Sequence, residues 1–181
     1  MTVLDIARMG AQVLRTPAER VADPTAPEIA QLVADMKETM AAAGGIGIAA
    51  PQVRVPLRVA VFGVPEERTE DGVGLPLTVL INPEWEPLGP EMEEAYEGCL
   101  SVPGMTGSVP RYTRIAYRGA GLDGATIERV AEGYHARVVQ HELDHLDGIL
   151  YPQRMKDLST FAYTEELRRE LGPEAELEDV E

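Results

Sequence analysis

The chain predicts an α+β domain. Three observations carry that prediction: an apolar helical period over residues 25–43, four short β-branched segments between residues 58 and 131, and a second helical period over 133–147. Strand and helix do not alternate regularly, which argues against a doubly wound parallel sheet. With 181 residues there is chain enough for one domain with a sizeable core. Residues 1–164 are expected to form it, and 165–181 to be an acidic C-terminal segment rather than a second domain.

The elements follow in order. Thr25-Ala26-Pro27-Glu28 has the form of a capping box with proline at the helix start. Ile29, Leu32, Val33, Met36 and Met40 then recur at helical spacing, and Gly44-Gly45 supplies a stop. Beyond the glycines the period changes. RVAVFGV from Arg58, LTVLINP from Leu77, TRIAYRG from Thr113 and ATIERVA from Ala125 are bounded by Gly, Pro or Asp and read as strands. PEERTEDGVGLPL, from Pro65, reads as a polar surface loop. The last helix should run from about Gly133 to Asp147, with Tyr134, Val138, Val139, Leu143 and Leu146 apolar and Gly148 ending it.

Charge and cysteine content narrow the function classes. Net charge is −15, of which the eight acids and two bases from Glu165 onward contribute −6, so the other 164 residues carry −9. Such a chain is repelled by phosphate backbones, and direct nucleic-acid binding is not expected. No uncharged apolar run approaches the roughly 20 residues of a membrane span. MTVLDIARMGAQVLR, with Asp5 and no apolar core, resembles neither a secretory signal nor a transit peptide, so no membrane partner and a cytoplasmic location are expected. The single cysteine, Cys99, excludes an internal disulfide and leaves a thiol for packing, metal binding or nucleophilic chemistry.

The last helix carries QHELDHLDG, residues 140–148. His141 and His145 stand one turn apart, about 40° around the axis, so both imidazoles can reach one cation while Glu142 lies beside them as a candidate base. The plain alternative is a helix with two surface histidines. A catalytic metal needs about three protein ligands. EGCLSVPG, residues 97–104, offers Cys99 at a loop or strand end, and Glu165 or Glu166 is the downstream alternative. GIGIAAPQ, residues 45–52, permits close backbone approach and ends in the amide donor of Gln52. These residues leave open an HExxH endopeptidase, a thiol enzyme using Cys99 as nucleophile, and a binding module without activity.

Taken together, GIGIAAPQ, EGCLS and QHELDHLDG resemble the three motifs of the peptide deformylases in order and separation, and the match extends to about Pro152. The resemblance implies small mixed or antiparallel sheets packed around a central HExxH helix. It implies that Cys99, His141 and His145 bind one Fe²⁺, for which Zn²⁺, Ni²⁺ or Co²⁺ can substitute. Glu142 would act as base and then acid, while the Gln52 amide and the Leu100 N–H stabilise an oxyanion. The substrate would be an N-formyl-methionyl nascent peptide, losing formate, with room for a transient ribosome contact. Backbone groups of Ile46, Gly47 and Gly98 would hold the peptide as an added strand, and Ile46, Tyr134 and Val138 would bound a methionine pocket. Tyr134 and Val138 read equally well as core.

Departures are also visible. Many bacterial members carry aliphatic residues where this chain has Tyr134 and Arg137. Arg137 reads most simply as a solvated helix residue, and Arg111 as a groove residue or the partner of an acid. Asp144 reads as support for a ligand or as a surface charge, and His135 as a surface residue.

Overall fold

Pro27 lacks an N–H and has a preset φ, so it opens the first helix, α1 (Pro27–Ala43), and Gly44 closes it. This computed structural model describes residues 2–68 and 72–172. The cap differs from the expected box. Ala26 is the N-cap, which places Glu28 one position too early for the reciprocal bond, and the Thr25 hydroxyl donates to Asp23 Oδ1 at 2.7 Å instead. Ile29, Val33, Met36 and Met40 bury one face of α1 against Ile48, Val59, Val61 and Ile81. The methionines are therefore core.

Eight strands follow among the described residues: β1 (Gly47–Ala49), β2 (Val59–Val64), β3 (Leu75–Pro87), β4 (Met92–Glu97), β5 (Met105–Tyr112), β6 (Arg114–Ala120), β7 (Thr126–Glu132) and β8 (Ala162–Tyr163). The four segments expected from the sequence are β2, β3, β6 and β7. The polar loop is shorter than expected, because β3 already begins at Leu75, and its residues 69–71 lie outside the described residues. Five strands form one antiparallel sheet in the order β1-β2-β3-β6-β7, and three form another in the order β4-β5-β8. β1 and β4 are thus both edge strands.

Helix α2 (Gly133–Leu146) packs against β1 and β2 of the larger sheet and β5 of the smaller. Phe62, Leu80 and Tyr117 meet Val138, Val139 and Leu143 in one cluster. Each fully buried apolar side chain of this size contributes about 1.5–3 kcal/mol. Every residue from Ala136 to Leu146 is buried, polar ones included. An amphipathic helix usually leaves its polar face in water, so here each polar group needs a protein partner or a ligand. Gly148 follows at φ 73°, where a Cβ would come within 2.8 Å of the Arg15 backbone, so the tight exit from α2 requires glycine.

The acidic segment begins as a short helix, α3 (Thr164–Leu171), on which Glu165 and Glu166 are exposed. Residues 173–181 lie outside the described residues. No helix among the described residues is long and apolar enough to cross a membrane.

His135 is not a plain surface residue. It is half-buried, with Nε2 3.1 Å from the Tyr117 hydroxyl, and burial together with the Arg129 charge lowers its pKa from 6.5 to about 4. Between those values the unfolded chain binds a proton that the folded protein refuses, so stability falls as pH drops through the window. After discounting for partial exposure, the loss should be on the order of 1–2 kcal/mol. Urea unfolding at pH 6.5 and 4.5 should therefore show a smaller acid loss in His135→Gln than in the native protein. Equal losses would assign the acid sensitivity to other groups.

Candidate metal centre

The antiparallel hairpin of β4 and β5 carries Glu97 at its inner end, and the turn after it presents Cys99 to α2. One ligand atom from each of Cys99, His141 and His145 lies within 4.8 Å of the others, and all three residues are buried. Cys99 Sγ is 3.4 Å from His145 Nε2. His141 turns Nδ1 toward Glu97 Oε2 at 2.9 Å, leaving Nε2 for the cluster. Burial above all holds His145 well below its usual pKa, so it is a neutral donor. A thiolate and two imidazoles, drawn together and shielded from water, fit a divalent transition ion. Glu165 and Glu166, the alternative third ligands, stand on exposed α3 outside this cluster.

Glu142 lies on the same helix, 1% exposed. Its Oε2 is buried without a hydrogen-bond partner among the described residues. Burial raises its pKa well above the ordinary carboxylate value, and the Glu97 charge raises it further. Gly47 of β1 packs directly on this carboxylate, where a Cβ would collide with Glu142 Oε1. That close approach is why a small residue is needed in the first motif. Gln52 is 2% exposed and sends Nε2 toward Cys99 Sγ at 3.6 Å. Leu100 directly follows Cys99 and is half-buried. The first and second motifs and α2 therefore converge on one point.

The polar groups left open by sequence are held in one buried ion network. Arg111 donates through Nε and Nη2 to Glu97 at 2.8 and 2.9 Å, and through Nη1 to Asp144 at 2.6 Å. Arg137, expected in solvent, is 4% exposed and donates to Glu97 Oε1 at 2.9 Å, with further bonds to the Val109 and Glu93 carbonyls. Arg154 closes the far side through a bidentate pair with Asp144. Burial opposes ionisation of Glu97, but Arg111 and His141 overcome it and hold the carboxyl well below its ordinary pKa. An ionised Glu97 fixes the His141 ring orientation and tautomer. Sequence reasoning missed Glu97. Its only signal was an acid two residues before the thiol, in an otherwise apolar turn.

A groove of about 750 Å³ opens beside the first turn of α2, lined in part by Val64, Leu75, Ala95, Tyr134 and Arg137. Tyr134 faces this groove, with the Arg68 guanidinium 5.6 Å from its ring centroid. Val138 is fully buried in the main cluster, and Ile46 packs against that cluster. Gly98 is buried at the end of β4.

A thiol and two imidazoles, with an adjacent buried carboxylate and a facing amide, have the make-up of a metal-dependent hydrolase. Comparison with known proteins narrows the class. The polypeptide deformylase family profile matches residues 3–161. Peptide deformylase 1 of Nitrosomonas europaea is 53% identical over 163 residues, which cover 90% of this chain and 93% of that protein. Among solved structures, an Acinetobacter baumannii class I type b peptide deformylase with Met-Ala-Ser bound aligns with TM-score 0.79 at 38% identity, covering 85% of this chain and 99% of the other. An Ehrlichia chaffeensis peptide deformylase in complex with actinonin gives 0.81 at 34% identity, covering 94% and 98%. The chain belongs to the peptide deformylase family. It is a metal-dependent hydrolase that removes the N-formyl group of newly made polypeptides and releases formate.

Proposed function

We propose that Cys99, His141 and His145 hold the ion, and that Glu142, Gln52 and Leu100 act on a formyl-methionyl peptide beside it. The convergence of a thiol and two imidazoles within 4.8 Å, next to a buried carboxylate, carries this assignment. When bound, the ion supplies a Lewis acid that polarises the formyl carbonyl and acidifies water. Glu142 takes the proton from the attacking water and delivers it to the leaving amine as the C–N bond breaks, giving formate and a free amino terminus. Burial raises its pKa above the ordinary carboxylate range, which favours its holding the proton between the two halves of the transfer. The Gln52 amide and the Leu100 N–H donate to the oxygen that gains charge.

The peptide enters as an extended strand between the free edges of β1 and β4, a mode that is largely blind to side chains. Gly47 and Gly98 lie at or next to those edges. The Ile46 carbonyl is committed to the Gly63 N–H at 2.8 Å, so a bond from residue 46 falls to its own N–H. The methionine side chain enters the groove beside Tyr134, with Ile46 and Val138 behind it. The Met-Ala-Ser bound to the Acinetobacter relative is of the kind this reaction leaves behind. We assign the ion as Fe²⁺, replaceable by Zn²⁺, Ni²⁺ or Co²⁺, and place the enzyme in the cytoplasm with transient access to the ribosome. The catalytic unit is residues 1–164.

The test is anaerobic purification with metal analysis, followed by formate release from formyl-Met-Ala-Ser. Chelation should abolish release, and Fe²⁺ or Ni²⁺ should restore it. No formate from metal-loaded protein would sink the proposal. The 3.4 Å Cys99–His145 contact would also suit a thiol–imidazole pair, and activity that survives chelation would favour that chemistry.

A further inference from the structure

Ser101 is fully buried, two residues beyond the thiol, and the chemistry above gives it no role. Its hydroxyl oxygen lies 3.3 Å from Gln52 Nε2. The other end of the same amide is also held, because the Ala49 N–H donates to Gln52 Oε1 at 2.8 Å. Both residues are anchored through their backbones: the Gln52 carbonyl accepts from Ala7 N–H, and the Ser101 carbonyl accepts from Met9 N–H, each at 2.7 Å.

A primary amide has two N–H donors and one oxygen. With the oxygen on Ala49 and one N–H on Ser101, the terminal torsion is set. The second N–H then donates to Cys99 Sγ over a long 3.6 Å contact, which aims it into the ligand cluster. A glutamine's last torsion is otherwise broad, and a donor useful to a transition state has to be aimed before charge develops. We propose that Ser101 is a positioning residue, whose hydroxyl holds one N–H of Gln52 so that the other points at the reacting formyl oxygen. The inference rests on the deformylase assignment of Gln52. It also distinguishes two parts of Ser101, since the backbone N–H goes to Cys99 Sγ at 3.4 Å and survives any side-chain change.

A double-mutant cycle tests it, using full-length metal-loaded protein, formyl-Met-Ala-Ser, and kcat expressed per bound ion so that partial unfolding does not enter the comparison. Gln52→Leu should lower kcat by about 10²- to 10³-fold. Ser101→Ala should lower it by about 10- to 100-fold through misaimed geometry, with KM and metal content close to native. In the Gln52→Leu background, Ser101→Ala should change kcat by less than about twofold, because the group it aims is gone. Ser101→Thr, which keeps the hydroxyl, should recover most of the loss.

Native kcat in Ser101→Ala, or losses that multiply in the double variant, would overturn the positioning role. A fall in metal content with unchanged kcat per ion would likewise overturn it and make Ser101 a support for the thiolate. Native kcat in Gln52→Leu would instead remove the oxyanion role of Gln52 itself, a separate failure.

Discussion

Glu142→Gln is expected to lower kcat by about 10²- to 10⁴-fold while leaving bound metal stoichiometric. The substitution keeps size and shape, which matters because Gly47 packs directly against this side chain. What it removes is the ability to accept a proton and return it. Glu142 does not belong to the Cys99, His141 and His145 cluster, so ion content should not follow activity down. The measurement is formate release together with metal per chain. Activity within threefold of native, with ion retained, would mean that another group moves the proton. Loss of both would mean that Glu142 is needed to build the site rather than to work in it.

Cys99→Ala has the larger expected effect on the ion. Without the thiolate only His141 and His145 remain of the cluster, and two imidazoles on one helical turn fall short of the three protein ligands a catalytic ion requires. The variant should purify without stoichiometric metal and release no formate above the uncatalysed rate. Fe²⁺ or Ni²⁺ that restores the chelated native enzyme should fail to restore it. Cys99 is also fully buried in a cluster with Val102, Val109, Leu150 and Tyr151. Replacing sulfur by hydrogen there leaves only a small void, so the variant should remain folded by circular dichroism and its defect should trace to the ion. Full occupancy with native turnover would exclude Cys99 as a ligand.

The legible part of the site was its chemistry-bearing sequence. HExxH sets two imidazoles and a carboxylate along one helix by geometry alone, so α2 and the proposal of a metal site on it followed from residues 141, 142 and 145. The four β-branched segments became β2, β3, β6 and β7 because their own side chains favour extended backbone. β1, β4, β5 and β8 were not legible for the opposite reason. GIA is only three residues long, MEEAYE is mostly polar, MTGSVPRY contains glycine and proline, and AY is a single pair, so partners across the ladder decide these strands.

Sequence by itself therefore determined the family, since three short motifs carry the resemblance, and it named the residues that the proposed site uses. Tertiary structure alone decided what surrounds them. Arg137, Gln140 and Asp144 have the composition of a solvated helix face, yet the smaller sheet covers that face and forces each into a buried partnership. Glu97, Arg111 and Ser101 likewise acquire their places from chains distant in sequence: Glu97 meets His141 44 residues on, and Ser101 meets Gln52 49 residues back. Burial is a property of what packs over a side chain, and a local period does not record it.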